Sequence, residues 1–315
     1  MAVEVQKVKK LLAAIAGSLF LNPFLCSRAS PTPTATNDYA GPVLPLTPQS
    51  SVPCEIYDGY LIVVPGRIGP LEGLHFALDT GATNTMIDKH IASALRLPRY
   101  PARALSLGKP TKTELANLPE LQLGPLHGAH LPVVVADLGF FRSFATRIDA
   151  VIGVDLLRRQ NFTLDFVAHQ VTFGAARPGR HEISLQLASD VSLFGVELTA
   201  QDHTLHVVVD SGASAVILYR DCLQRRALVY AHATHARGLG VAGFELGTTA
   251  TLAQMNLAGA PINPRIYIAP DPDRAPPIEP RKSPERVRDG YLALAALNAT
   301  FISFDFSSQK MFWSN

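Results

Sequence analysis

One eight-residue pattern occurs twice in this 315-residue chain, and that repetition constrains the fold more than composition does. Phe76-Ala-Leu-Asp79-Thr80-Gly81-Ala82-Thr83 returns 131 residues later as Val207-Val-Val-Asp210-Ser211-Gly212-Ala213-Ser214. Downstream, Asp149-Ala-Val151-Ile152-Gly153 is matched by Asp289-Gly-Tyr291-Leu292-Ala293. Sixteen residues beyond each Asp lie Asp165-Phe166 and Asp305-Phe306, and Val171-Thr-Phe173 stands opposite Met311-Phe-Trp313. The interval from Asp79 to Asp149 is 70 residues and that from Asp210 to Asp289 is 79. The excess fits a Pro-rich insertion at 270–284. The pattern reads as one unit duplicated, a signature to be sought before any local assignment.

The local signals in both copies are those of strands. Tyr60–Val64 and Leu74–Leu78 are β-rich apolar runs joined by a Gly/Pro turn, and Gly195–Leu198 with Leu205–Val209 repeat the scheme. Leu131–Ala136 and Arg265–Ala269 add a strand per copy. One short helix per copy is expected, over Asp88–Leu95 with Asp88 as cap and over Tyr219–Ala227. These signals predict an all-β protein of two lobes, 54–176 and 184–315, joined by a linker at 177–183.

An acidic residue that ends three or four apolar strand positions is costly to bury unless it is hydrogen-bonded or functional. Glycine two residues on lets the chain turn sharply and brings backbone N–H groups to the carboxylate. One Asp-hydroxyl-Gly turn is weak evidence of chemistry; two at equivalent repeat positions are not. Pseudo-twofold packing of the copies brings Asp79 and Asp210 to one axis. Two carboxylates about 3 Å apart cannot both ionise, so they share a proton.

These motifs resemble the retropepsin-like and pepsin-type aspartic peptidases, in the arrangement where one polypeptide supplies both halves. The resemblance covers nearly all of residues 56–315. It implies two β-barrel lobes related by pseudo-twofold symmetry, catalytic Asp79 and Asp210, and hydroxyls of Thr80 and Ser211 that cross-link the loops beneath them. Gly81 and Gly212 take the loop-glycine positions, and Gly153 the glycine packed under the catalytic loop. Ala293 stands where that glycine is expected in the second copy and departs from the pattern. Gly238, Gly240 and Gly243 suit a flap hairpin, with Leu105–Leu115 and Gly108 as the first-lobe counterpart. The activity implied is hydrolysis of a peptide or protein substrate by a monomer without cofactor or metal. Ala82 and Ala213 replace the hydroxyl that pepsin-like enzymes often carry after the glycine, which implies activity reaching towards neutral pH. The alternative is a non-catalytic peptide-binding or scaffold protein on the same fold.

Residues 1–29 carry Lys7, Lys9 and Lys10 before an apolar stretch from Leu11 to Leu25, then small residues. This is the layout of a secretory signal, and it predicts an exported protein, periplasmic or secreted. The other readings are a membrane anchor and lipidation at Cys26. Residues 30–53 are rich in Pro, Thr and Ser and read as a linker or leader. Cys54 and Cys222 form an even pair after export, so a bridge is open to them. Cys222 also aligns with Ile91, an apolar helix position, which favours a packed thiol.

Competing chemistries find little support. A net charge of +2 without a dense basic cluster sets nucleic acid aside. Gly238-x-Gly240-x-x-Gly243 satisfies a dinucleotide pattern but lacks the following helix. The pairs His127/His130 and His232/His235 lack a third ligand nearby and read as solvated loop residues. No G-x-S-x-G frames Ser211.

Overall fold

The computed structural model describes residues 13–14, 19–21, 49–106, 109–144, 146–188, 192–240, 243–271 and 288–315. Strands dominate, with short α-helices at Lys89–Ala94, Val154–Leu157 and Arg220–Arg225. The all-β expectation therefore holds.

Two large sheets share a strand order. The first runs Tyr100–Ser106, Lys109–Leu123, Leu126–Ala136, Met86–Asp88, Ala150–Ile152, Leu71–Leu78, Leu61–Ile68 and Glu55–Tyr57. The second runs Tyr230–Gly240, Gly243–Leu252, Arg265–Ala269, Val216–Tyr219, Gly290–Ala293, His203–Asp210, Leu193–Ala200 and Gln186–Ala188, with Met255–Leu257 also paired to Leu193–Ala200. In each, the strand leading to the repeated Asp pairs in parallel with a short strand, Ala150–Ile152 or Gly290–Ala293. That short strand pairs antiparallel with Met86–Asp88 or Val216–Tyr219. Every residue of Ala150–Ile152, Val216–Tyr219 and Gly290–Ala293 is buried. Strands covered on both faces need continuous apolar runs, which is why these segments do not alternate.

A third sheet of six strands draws on both halves of the chain. Its order is His181–Ser184, Lys310–Ser314, Phe301–Asp305, Phe162–Asp165, Gln170–Phe173 and Ser50–Pro53. At its centre Phe162–Asp165 pairs antiparallel with Phe301–Asp305. There the Thr163 and Ser303 hydroxyls meet at 2.7 Å, buried, and the Phe162 and Phe304 rings lie 4.9 Å apart. Backbone hydrogen bonds thus join the halves through their later segments, where Asp165-Phe166 and Asp305-Phe306 recur.

Several boundaries differ from expectation. Residues 50–53 are not leader but an edge strand on Gln170–Phe173, with Val52 buried. The segment at 177–183 is not a free linker. The Arg177 and Arg180 N–H groups donate to Ser303 and Ser314 at 2.9 Å, and His181–Ser184 pairs with the last strand. Both histidine pairs lie in strands, not loops. His127 and His130 sit in Leu126–Ala136, and His232 and His235 in Tyr230–Gly240, all exposed. The two helices begin where expected. Asp88 caps the first by accepting from the His90 N–H at 2.9 Å, and Arg220–Arg225 has no side-chain cap. Cys54 and Cys222 are both free and buried.

Of residues 1–29, only 13–14 and 19–21 are described. Ala13–Ala14 pairs in parallel with Gly238–Leu239, and Leu19–Leu21 antiparallel with Ala104–Ser106. Cys26, most of the 30–53 segment and the Pro-rich insertion lie outside the described residues. No helix among the described residues is long and apolar enough to cross a membrane.

Candidate active site

Asp79 and Asp210 end equivalent strands, and the two loops that follow are interlocked. The Thr80 hydroxyl donates to the Val209 carbonyl at 2.9 Å and accepts from the Ser211 N–H at 3.0 Å. Reciprocally, the Ser211 hydroxyl donates to the Leu78 carbonyl at 2.9 Å and accepts from the Thr80 N–H at 2.9 Å. All four residues of the two turns, Asp79, Thr80, Asp210 and Ser211, are buried. In a dry site each such bond is costly to break, because its partner is left without water. A hydroxyl that both donates and accepts suits this position, which is why Thr and Ser both serve.

The lock fixes the carboxyl groups. Gly81 N–H donates to Asp79 Oδ1 and Gly212 N–H to Asp210 Oδ1, each at 2.8 Å. The backbone N–H groups of Ala82 and Ala213 also favour the charged forms of Asp79 and Asp210. The Asp79 and Asp210 carboxyls act on each other's ionisation. Asp79 Oδ2 and Asp210 Oδ2 are buried with no hydrogen-bond partner among the described residues. Burial raises both carboxyls above the ordinary range, Asp79 to about 7. Asp210 is pushed well up, by burial first and then by the charge of Asp79. A pair so placed holds one proton over a wide pH range, and its titration belongs to the pair.

The Ala82 and Ala213 side chains pack in different apolar clusters. Ala82 joins Tyr60, Leu61, Val63, Phe141, Phe144 and Val151, whereas Ala213 belongs to the main core. Gly153 lies against the first loop: a Cβ there would stand 2.7–2.9 Å from Asn84 and Ala82 backbone atoms. Ala293 is fully buried in sheet register with Asp210, so a methyl group fits at this point of the second half.

The glycines expected in a flap occupy the hairpin of Tyr230–Gly240 and Gly243–Leu252, where Gly240 pairs with Gly243. Gly238 lies in the body of the hairpin, where its N–H donates to the Tyr267 hydroxyl at 3.2 Å. Tyr100–Ser106 and Lys109–Leu123 form the matching hairpin in the first half, and Gly108 falls outside the described residues.

Sequence reasoning assigned no task to Asp149 and Asp289, and the structure gives them one. Each accepts a strand N–H at 2.9 Å, from His75 and His206 respectively. Asp149 is met by Arg147 at 2.8 Å and His90 at 3.0 Å, and Asp289 by Arg226 at 2.8 Å. Their recurrence in the repeat was the available signal, but the partners are supplied differently in the two halves: Arg147 lies two residues before Asp149, whereas Arg226 follows the helix Arg220–Arg225. Among the described residues no cluster of His, Cys, Asp and Glu has the makings of a metal site.

Residues 64–156 match a family described as aspartyl protease, a stretch that includes Asp79 and ends just past Gly153. No curated protein matches the chain. The match supports an aspartyl protease family and a general protease function for this chain.

Proposed function

We propose that this chain is a single-chain aspartic endopeptidase in which Asp79 and Asp210 act as one catalytic pair. The observation that carries the reading is the interlocked pair of loops. Each carboxyl there is held at Oδ1 by a glycine N–H, and each Oδ2 is buried with no hydrogen-bond partner among the described residues, free for a water or substrate. With one proton on the pair, the charged carboxyl takes a proton from a water as that water attacks the peptide carbonyl carbon. The protonated carboxyl donates to the carbonyl oxygen, giving a neutral gem-diol. The newly protonated carboxyl then gives its proton to the amide nitrogen while the other carboxyl takes one from a gem-diol hydroxyl, so that the C–N bond breaks, a carboxylic acid and an amine leave, and the pair again holds one proton. The fixed glycine N–H groups need no reorganisation during these steps.

The equal strand order of the two large sheets supports a duplicated unit whose halves contribute one Asp each. Both halves lie on one polypeptide, so the active species is a monomer acting on peptide or protein. The hairpins close over the substrate, and the basic-then-apolar start of the chain directs export. Hydrolysis of a mixed peptide library by the purified chain, compared with Asp79→Asn and Asp210→Asn, tests the proposal. Turnover is expected in the parent and in neither variant. Peptide binding without turnover in the parent would instead establish the non-catalytic reading.

A further inference from the structure

The two catalytic loops are anchored from below by different forces. In the first half, the Thr85 N–H and hydroxyl both donate to the Asp155 carboxylate, at 3.0 and 2.8 Å. The Thr85 hydroxyl in turn accepts from the Gly153 N–H at 3.3 Å. Val154 N–H donates to the Ala82 carbonyl at 2.9 Å, and Asp79 N–H to the Ile152 carbonyl at 3.0 Å. Thr85 is fully buried. The segment from Asp79 to Thr85 is therefore pinned along its length to the strand end and helix start at 152–155.

In the second half the counterparts of Thr85, Gly153 and Asp155 are Val216, Ala293 and Ala295, by the same offsets that relate the repeated motifs. Val216 and Ala293 are fully buried, and Ala295 packs against the apolar cluster that holds Ala82. All three exchanges go together. A carboxylate without the threonine donors, or a valine facing the carboxylate, would leave a polar group unpaired. Ala293 is one member of an apolar set, not an isolated lapse.

We infer that Asp155 is a positioning residue for Asp79, acting through Thr85, while Val216 and Ala293, which share the main core with Ala213, position Asp210 by apolar packing. The inference rests on the proposed catalytic pair. Burial raises the Asp155 carboxyl, the Thr85 and Leu156 donors oppose that, and Arg159 is the cation that faces it. The anchor of Asp79 is thus electrostatic and that of Asp210 is not.

The test compares the parent with Asp155→Ala, Asp155→Asn and the double variant Thr85→Val/Asp155→Ala, which copies two of the second half's three exchanges and keeps Gly153, where Asn84 and Ala82 leave no room for a Cβ. Two readouts are taken: kcat and KM on a peptide substrate, and the two apparent pKa values of the pair from carboxyl-carbon NMR. Asp155→Ala should lower kcat on the order of tenfold to a hundredfold with KM little changed, as a misplaced group does. It should also shift the titration of the pair. Asp155→Asn keeps an acceptor for the Thr85 N–H and should fall between, and it is the fallback if the alanine variant does not fold. The double variant should regain most of the loss.

A lower Tm with parental kcat and parental titration would make Asp155 merely structural and overturn the inference. A double variant no better than the single one would overturn the apolar equivalence. If the parent hydrolyses nothing, the catalytic reading fails, and the NMR comparison still decides whether Asp155 positions Asp79.

Discussion

The Asp210 carboxyl carbon lies 2.4 Å from the point where a Cβ on residue 81 would stand, and its two oxygens lie 2.6 and 2.8 Å from that point. Gly81 is therefore absent of a side chain because a residue from the other half of the chain fills that space. Gly81→Ala should displace the Asp210 carboxyl and lower kcat on the order of a hundredfold or more. Steady-state kinetics check this, and parental kcat in a folded variant would contradict the close approach.

Thr80 carries two of the four interlocking bonds through its hydroxyl. Thr80→Val keeps the shape but leaves the Ser211 N–H and the Val209 carbonyl without that partner. The expected loss is about 2–4 kcal/mol, at the usual cost of unsatisfied buried groups. Thr80→Ser should stay within about 1 kcal/mol of the parent, since it keeps both the donor and the acceptor. Urea denaturation of both variants is the measurement, and equal losses would mean that the hydroxyl bonds are not what holds the turn.

The raised carboxyls make stability depend on pH in a fixed direction. A carboxyl whose folded pKa lies above its unfolded value contributes stability that is complete below the unfolded value. That contribution is lost as pH rises through the folded one. For Asp79 the window runs from near the ordinary aspartate value of 3.8 to about 7. Each pKa unit corresponds to roughly 1.4 kcal/mol. The Asp79→Asn/Asp210→Asn double variant should therefore gain stability over the parent as pH rises from 4 to 7. Tm measured across that range checks the sign, and a constant difference between the two proteins would contradict it.

Strand Ser50–Pro53 belongs to the fold, so a chain that starts at Cys54 should be less stable than one that starts at Gln49. The shorter product loses the pairing with Gln170–Phe173 and uncovers the site of Val52. Burial of one valine side chain is worth about 1.5–3 kcal/mol. Tm of chains starting at Gln49 and at Cys54 should differ accordingly, the first being higher. Equal Tm values would place the strand outside the cooperative unit.

The sequence by itself determined the strand-rich class, the two Asp-hydroxyl-Gly turns and the positions that answer each other across the repeat. Apolar runs, turn glycines and a helix cap such as Asp88 are local, and local order follows from local chemistry. Only the tertiary structure decided that residues 50–53 and 181–184 join one six-stranded sheet with the later segments of both halves. Short edge strands have polar and apolar residues in no distinctive order, and their partners lie more than a hundred residues away. It also decided that Asp149 pairs with Arg147 and lies against the His90 ring while Asp289 uses Arg226. A buried carboxylate requires donors but does not specify which element brings them. The exchange of Thr85 and Asp155 for Val216 and Ala295 was present in the aligned repeats. It became legible only when the hydrogen bonds showed the first pair in contact, because repetition marks equivalent positions and contact shows which of them act together.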